Sequence, residues 1–236
     1  MLFLLPPSET KAPGGKAITI HQAAQTFGAL NPARLEVLQK LGDKSLDTAP
    51  TMPAIQRYTG TLYSAIHGRG LKGTPTEHNQ LTADELKLAK QHVLIQSALF
   101  GLIAATDLIP VYKLAPNKLL NGLNLKTHWN AAHAPVWPRL AKGPVIDLRS
   151  KAYAELAPLP TTLEAFEVTV YVQREDGSRE QLNHFNKKAK GQLVRAALTA
   201  NKFPETIAQL KAAAKKAGLV LEQEGRSLIL ITTSAT

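Results

Sequence analysis

The apolar residues of this chain recur with two periods, one typical of β-strands and the other of α-helices. The clearest strand is Ala165–Gln173, in which Phe166, Val168, Val170 and Val172 alternate with mostly polar residues. Asp-Gly and Glu-Gly pairs near the C-terminal end predict two hairpins. Shorter apolar runs predict further strands at Leu2–Leu5, Val93–Ile103 with a turn at Gly101, Pro144–Leu148, Arg179–Asn183, Leu219–Glu222 and Ser227–Thr232.

Helical periodicity separates these strands. Thr82, followed three residues later by Glu85, has the spacing of a capping box and predicts the start of one helix, and His67–Thr76 is predicted as a loop. Further helices are predicted at His21–Phe27, Pro32–Leu41, Ala54–Ile66, Leu125–Trp137, Lys151–Leu156, His184–Leu198 and Pro204–Ala217. Because strands alternate with helices and the sequence has no internal repeat, we expect a single compact α/β domain over residues 1–236. It would have a mixed sheet with flanking helices.

The helix predicted at His184–Leu198 has two different faces. At 100° per residue the apolar face holds Ala189, Leu193, Ala196 and Ala197, and the polar face holds Lys188, Gly191, Gln192 and Arg195. A glycine costs a helix about 1 kcal/mol relative to alanine, so its presence favours the close approach of a ligand. Cations around a bare backbone suit a phosphate. A solvated basic face explains the same residues equally well.

The chain as a whole is basic, with a formal net charge of +10 and a pI of about 9.8. The surplus is uneven, because nine Lys and Arg stand against three acidic residues from His184 onward. Such a surplus favours an anionic partner, and nucleic acid is the obvious one.

The composition also excludes several kinds of site. Cysteine is absent, which removes disulfides, iron–sulfur clusters, zinc fingers and cysteine nucleophiles. His128 and His133 do not share a helical face, so we predict neither a metal nor another cofactor. No apolar run approaches the roughly 20 residues of a membrane span, and the short apolar start before Pro6 is unlike a signal peptide. We therefore expect a cytoplasmic protein without a membrane partner.

The loop after the first strand contains a Ser-x-x-Lys spacing at Ser8 and Lys11. Some acyl-transfer enzymes use this spacing to activate the serine, but there it opens a helix, whereas two prolines precede it here. Backbone N–H groups near Gly14 and Gly15, together with Lys11 and Lys16, make a phosphate-contacting loop the stronger functional hypothesis. A plain surface loop explains the segment as well.

Other candidate residues have structural explanations of at least equal weight. Asp107 and Asp147 lie near predicted strand ends, where catalytic carboxylates occur but caps and turns also use aspartate. Trp129 and Trp137 are able either to stack nucleic-acid bases or to anchor a core. Short helices around Leu30–Arg34 have the outline of a helix-hairpin-helix, which binds duplex phosphates through backbone N–H groups. An ordinary helical turn fits that spacing better.

Several segments of the chain are informative when they are taken together and in order. They are MLFLLPPSETK, YTGTLYSAI, LFGLIAATDLIPVYKL, HWN, VIDLRSKAY and HFNKKAKGQLVRAAL, and they extend from Met1 to Leu198. This ordered set resembles the YaaA-like peroxide-stress protein family. The resemblance implies a compact α/β domain with a positively charged cleft and a helix-hairpin-helix element. It also implies a cytosolic DNA-binding protein that limits the damage done by peroxide and iron.

Carried over by position, the resemblance implies a cleft lined by Ser8, Lys11, Tyr63, Lys113, Ser150, Tyr153, Lys187, Lys188, Lys190 and Arg195. Our leading hypothesis is that this cleft binds DNA, largely without sequence specificity, in defence against peroxide. The alternative is an enzyme that acts on a nucleotide, a nucleobase or a phosphorylated small molecule in the same pocket. In that case Tyr63 and Tyr153 would be acids or bases, and Lys113 a lysine of lowered pKa. An open groove of exposed cations would favour DNA, whereas a closed pocket with buried Ser8, Tyr63 and Lys113 would favour catalysis.

Overall fold

The computed structural model of the chain describes residues 1–23, 25–67, 80–140, 143–182 and 186–232. The strands in these residues are β1 (Leu2–Leu5), β2 (Met52–Pro53), β3 (Val93–Ser97), β4 (Gly101–Ala104), β5 (Leu108–Ile109), β6 (Leu119–Leu120), β7 (Leu123–Asn124), β8 (Val145–Asp147), β9 (Ala165–Gln173), β10 (Arg179–Gln181), β11 (Val220–Glu224) and β12 (Ser227–Thr232). The helices are α1 (Asn31–Leu41), α2 (Ala54–Arg57), α3 (Thr61–His67), α4 (Ala83–His92), α5 (Leu125–His133), α6 (Lys151–Ala154), α7 (Asn186–Leu198) and α8 (Ile207–Lys216).

Eight of the described strands form one mixed sheet in the order β11-β12-β9-β8-β1-β3-β4, with β10 paired to β9. The strands β12, β9, β8, β1 and β3 run parallel to one another, and β4, β10 and β11 are antiparallel to their neighbours. The predicted α/β class with a mixed sheet is therefore confirmed. Because β1, β3 and β8 are parallel neighbours, the segments that follow them leave the sheet at one edge.

Both faces of the central strands are covered. Phe3 and Leu5 of β1 face the larger core, to which the helices contribute Leu62, Ala89, Leu193 and Leu210. Leu2 and Leu4 face a smaller cluster that contains Leu94, Trp137 and Leu140. Strands that are covered on both sides need apolar residues at every position, which explains why β1 is a continuous apolar run whereas β9 alternates.

Several predicted elements are confirmed. The strand β9 has the predicted bounds, β1 is Leu2–Leu5 as expected, and β8 lies within Pro144–Leu148. Thr82 and Glu85 form both bonds of the capping box of α4. The two predicted hairpins are β9–β10 and β11–β12.

The helix predicted over Ala54–Ile66 is instead two helices, α2 and α3, because the chain turns away at Tyr58. Tyr58 is extended, with φ −70° and ψ 130°, and it forms an isolated bridge with Lys11. Gly60 immediately precedes α3 and has a φ of +109°. A Cβ at this position would lie 3.0 Å from the Ser8 Oγ. The interruption therefore brings the loop after β1 against the start of α3.

The apolar run Val93–Ile103 is a hairpin rather than one strand. The Ser97 Oγ accepts hydrogen bonds from the N–H groups of Leu99 and Phe100, each at 3.1 Å, and so forms the turn. Gly101 is the first residue of β4 and not a turn at the end of the strand. A Cβ on Gly101 would lie 2.5 Å from the Trp129 ring, so the indole closes over the bare backbone.

Other predicted boundaries need smaller corrections. In the described residues, the chain around His21 forms a turn and not the helix predicted at His21–Phe27. The predicted helices Leu125–Trp137, Lys151–Leu156 and Pro204–Ala217 are shorter, as α5, α6 and α8. Asn183, His184 and most of the His67–Thr76 loop lie outside the described residues. No described helix combines the length with the apolar character that crossing a membrane requires.

Candidate functional site

The segments after β1, β3 and β8 lie side by side, and we call them the carboxyl edge: Pro6–Lys11, Ser97 and Leu148–Tyr153. Leu4 is in register with both Leu94 of β3 and Asp147 of β8, so the three strands end together. Two candidate residues reach this edge from helices. The Tyr63 hydroxyl of α3 donates to the Pro6 carbonyl at 2.8 Å, and the Lys190 Nζ of α7 lies 3.5 Å from the Leu148 carbonyl. The candidates that the fold brings to this edge are Ser8, Lys11, Tyr63, Ser150, Tyr153 and Lys190.

Lys11 is positioned by its backbone. It forms a bridge with Tyr58, and the next residue, Ala12, donates its N–H to the Arg57 carbonyl at 2.8 Å. Arg57 is itself buried, and its guanidinium donates to the carbonyls of Ala12, Gly14, Pro50 and Ile109. One buried cation therefore ties the loop after β1 to the body of the protein.

The Lys11 amine lies over two tyrosine rings. Its Nζ is 4.2 Å from the ring centroid of Tyr112 and 5.6 Å from that of Tyr58. It donates to the carbonyls of Ser8 and Glu9 at 3.2 and 3.3 Å. Burial lowers the pKa of Lys11 to about 8, which Glu9 opposes and Arg57 reinforces. Lys11 therefore loses its proton more readily than an ordinary lysine does.

A chain of buried hydroxyl groups lies beneath Lys11. The Tyr112 hydroxyl is 2.7 Å from the Ser97 Oγ and 2.6 Å from the Tyr58 hydroxyl. Burial raises the pKa of Tyr112 to about 12 and raises that of Tyr58 well above its ordinary value. These phenols are therefore proton donors at neutral pH.

Tyr63 and Tyr153 complete the phenolic cluster. Tyr63 is buried, and its ring centroid is 5.2 Å from that of Tyr58. Burial raises the pKa of both Tyr63 and Tyr153, and for Tyr153 the neighbouring Tyr112 and Glu9 raise it further. At neutral pH both phenols are therefore limited to roles as acids, and the Tyr63 hydrogen is engaged by a backbone carbonyl.

The remaining cations differ in their surroundings. Burial lowers the pKa of Lys190, although the carboxylates of Asp147 and Glu167 oppose this. Lys187 and Lys188 are exposed in the first turn of α7, immediately before Lys190. Lys113 is also exposed. The half-buried lysine beside Tyr112 is Lys11 and not Lys113, to which the enzyme hypothesis assigned a lowered pKa.

Two residues of the polar face of the predicted basic helix, Gly191 and Arg195, pack against α3. A Cβ on Gly191 would lie 2.3 Å from the Leu62 carbonyl oxygen and 2.7 Å from the Ala65 Cβ. The Arg195 guanidinium of α7 donates to the Ile66 carbonyl of α3 at 2.8 Å. The missing side chain at Gly191 thus permits a close helix–helix contact, and the hypothesis that it admits a phosphate was wrong.

The carboxylates near strand ends have structural partners. Asp147 receives two hydrogen bonds from the Arg149 guanidinium, at 2.9 and 2.7 Å. Asp107 accepts hydrogen bonds from Thr26 and from the N–H of Ala104. Both aspartates therefore stabilise turns, which was the structural alternative.

The aromatic and hairpin candidates also have structural roles. Trp129 and Trp137 are buried, and the Trp129 indole donates to the Ala98 carbonyl at 2.9 Å. A helix-hairpin-helix is not shown, because no α-helix precedes α1 within residues 1–23 and 25–30. Arg34 is buried and donates to backbone carbonyls, among them those of Phe100 and Leu102 at 2.8 and 2.7 Å.

Sequence reasoning missed Arg57, Tyr58, Ser97 and Tyr112. Each lies in an otherwise apolar segment, where its size and spacing suggest a core position. One signal was available, because a polar group in a buried run must find a hydrogen-bond partner. The sequence does not reveal that Tyr58, Ser97 and Tyr112 would be partners for one another.

Comparison with known proteins agrees with the order of motifs. The profile of a family described as peroxide stress protein YaaA matches residues 1–224. The chain belongs to this family. A UPF0246 protein of Corynebacterium efficiens is 33% identical to it, over 96% of this chain and 97% of the relative. A UPF0246 protein of Streptomyces coelicolor is 33% identical over 95% and 93% of the two chains.

The YaaA match includes every element that forms the carboxyl edge, from β1 to α7. The positively charged cleft that the resemblance implied is not shown. Tyr63 is buried, Ser8 is half-buried and Lys113 is exposed, so the site is neither the fully open groove nor the fully closed pocket considered above.

Proposed function

We propose that this YaaA-family protein binds DNA at its carboxyl edge, largely without sequence specificity, as part of peroxide defence. The observation that carries the proposal is the position of three lysines in the N-terminal half of α7. Lys187 and Lys188 are exposed, and Lys190 extends to within 3.5 Å of the Leu148 carbonyl at the carboxyl edge. One cation of this helix, Lys190, thus lies beside the first residue after β8.

Electrostatics supports a phosphate-bearing partner for this surface. The N-terminal end of a helix carries a partial positive charge, which adds to the charges of the lysines. The formal net charge of +10 attracts a polyanion over longer distances. Contacts of lysine with phosphates carry no sequence information, so similar affinity for unrelated duplexes is expected.

The proposal is tested by measuring duplex DNA binding by fluorescence anisotropy over a range of salt concentrations. Each phosphate contact contributes about 0.9 to the slope of log K against log salt. We expect the double variant Lys187→Gln/Lys188→Gln to bind more weakly, with a slope smaller by about 1.8. Two duplexes of unrelated sequence should bind within a few-fold of each other.

The matched control is Lys215→Gln/Lys216→Gln, which removes two adjacent exposed lysines at the end of α8. It changes the net charge equally but leaves the carboxyl edge intact, so the salt slope should stay near that of the unaltered protein. Equal slopes for the two double variants, or no duplex binding at low salt, would contradict the proposal.

One observation favours catalysis as the second candidate function. A lysine with a pKa of about 8 lies among protonated phenols, which is an arrangement suited to proton transfer or nucleophilic chemistry. The substrate would be a nucleotide, a nucleobase or a phosphorylated small molecule. Calorimetric titration with a nucleoside monophosphate distinguishes the two functions. If the protein is an enzyme, the nucleotide should bind to the unaltered protein and not to Lys11→Met, whereas the binding of duplex DNA to that variant should only be weakened.

A further inference from the structure

The Lys11 amine has weaker polar partners than an ion-paired lysine. Two backbone carbonyls, of Ser8 and Glu9, accept from it at 3.2 and 3.3 Å, and the Tyr112 face lies 4.2 Å away. Within the described parts of the chain, Lys11 forms no ion pair with a carboxylate. The Lys11 side chain is half-buried.

The hydroxyl chain beneath Lys11 contains one more hydrogen than its internal bonds use. The Ser97 Oγ accepts two backbone N–H groups, so its own hydrogen is donated to the Tyr112 oxygen. The 2.6 Å bond between Tyr58 and Tyr112 needs the hydrogen of only one of these phenols. The other hydrogen, which lies on one of the two rings that Lys11 covers, is available to a further acceptor.

An amine without an ion pair, beside a phenolic hydrogen that the hydroxyl chain does not use, provides the two groups that imine formation requires. We propose that Lys11 forms an imine with an aldehyde whose phosphate is held by the lysines of α7. The amine nitrogen attacks the carbonyl carbon, and the carbonyl oxygen takes up a proton to give a carbinolamine. Loss of that oxygen as water, with a proton from the nitrogen, leaves the carbon–nitrogen double bond. The step needs no oxidant or reductant.

This inference rests on the proposed function, because phosphate binding brings the aldehyde to Lys11. It narrows the ligand to a phosphate-bearing aldehyde, which has two sources. A DNA strand that has lost a base carries a sugar that opens to an aldehyde between two phosphates. A free phosphorylated aldehyde, such as glyceraldehyde 3-phosphate, offers the same groups in a small molecule.

The experiment is reductive trapping on the full chain at pH 8, with sodium cyanoborohydride and either a duplex containing one abasic site or glyceraldehyde 3-phosphate. Peptide mapping by mass spectrometry then locates the modified lysine. We expect modification at Lys11 roughly tenfold faster than at exposed lysines, because more of its amine is neutral. The aldehyde that is trapped faster shows whether the site takes an abasic DNA strand or a free phosphorylated aldehyde.

Lys11→Arg cannot form a stable imine, so the rapid trapping should be lost and only the slow modification of exposed lysines should remain. Lys16→Arg, an exposed lysine of the same loop, is the matched control and should trap at the original rate. The proposal is overturned if, with both aldehydes, Lys11 of the unaltered protein is modified no faster than Lys16. This comparison is made within the unaltered protein, so it does not depend on the folding of a variant. Rapid trapping of glyceraldehyde 3-phosphate without binding of undamaged duplex would instead refute the proposed DNA function alone.

Discussion

At the residue scale, Lys11 and Lys113 have the same formal charge, but their amines lie in different surroundings and suit different roles. Lys113 is exposed, whereas the Lys11 amine is half-buried over the rings of Tyr58 and Tyr112. Removing a cation from water disfavours its charged form, and the nearby Glu9 carboxylate offsets this effect at Lys11 only in part. Burial therefore decides which lysine is suited to chemistry and which to long-range attraction.

The lowered pKa of Lys11 has a consequence for stability. Below about pH 8 the folded state holds a disfavoured ammonium group, and this cost disappears as the pH rises from about 8 toward 10.5, the ordinary value. We expect the free energy of unfolding of the unaltered protein to rise relative to that of Lys11→Met over this range. Urea denaturation of both proteins at pH 7 and pH 10 measures the difference.

The exposed lysine of the same loop provides the control, because Lys16→Met removes an equal charge and leaves the Lys11 amine over its two rings. If the difference between Lys11→Met and the unaltered protein is the same at both pH values, the amine is not destabilised by its surroundings.

At the element scale, the contact between α3 and α7 determines which side chains reach the carboxyl edge. The helices approach closely at Gly191, and the Arg195 guanidinium extends the contact to Ile66. This contact holds Tyr63 against the Pro6 carbonyl while Lys190 extends over β8 from the same side of the sheet. The basic helix is therefore a structural element first, and its cations act mainly from its N-terminal half.

Gly191→Ala tests this packing. The added Cβ would lie 2.3 Å from a backbone oxygen of α3, so the helices must separate. Overpacking lowers the free energy of unfolding by about 1–3 kcal/mol, and the better helix propensity of alanine offsets about 1 kcal/mol of this loss. We expect the free energy of unfolding in urea to fall by up to about 2 kcal/mol.

Gly28→Ala is the matched substitution, because the nearest atom to its added Cβ is 3.8 Å away. It should change the free energy of unfolding by less than about 0.5 kcal/mol. Equal effects of the two substitutions would show that α3 and α7 are not in close contact.

At the scale of the whole molecule, residues beyond the family match complete the sheet. The YaaA profile ends at residue 224, yet β12, Ser227–Thr232, lies between β9 and β11. It pairs with β9 along its whole length and buries Leu228 and Leu230 in the larger core. The surface that carries the candidate site is thus supported by strands that come last in the chain.

Removal of residues 218–236 should therefore prevent cooperative folding, because it exposes the edge of β9 and opens the larger core. We expect a loss of the near-ultraviolet circular dichroism and of a sigmoidal urea transition. A shorter truncation, of residues 233–236, leaves β12 intact and should preserve both signals. A cooperative transition in the longer truncation would contradict the role assigned to β12.

The sequence by itself determined much about this protein. Local patterns were sufficient for β1, β9, the capping box of α4 and the α/β class, because each depends on periodicity or spacing within a few residues. The order of motifs was sufficient to identify the family. The anionic partner that the uneven charge favours stays a prediction.

Only the tertiary structure decided where the chemistry lies. Lys11, Tyr58, Ser97 and Tyr112 are brought together by strand pairing and by the buried Arg57, which contacts carbonyls far away along the chain. A local pattern does not contain such contacts, and burial, which sets the proton affinity of each group, depends on them. The same reason explains Gly191, whose open side is filled by α3 and not by a ligand.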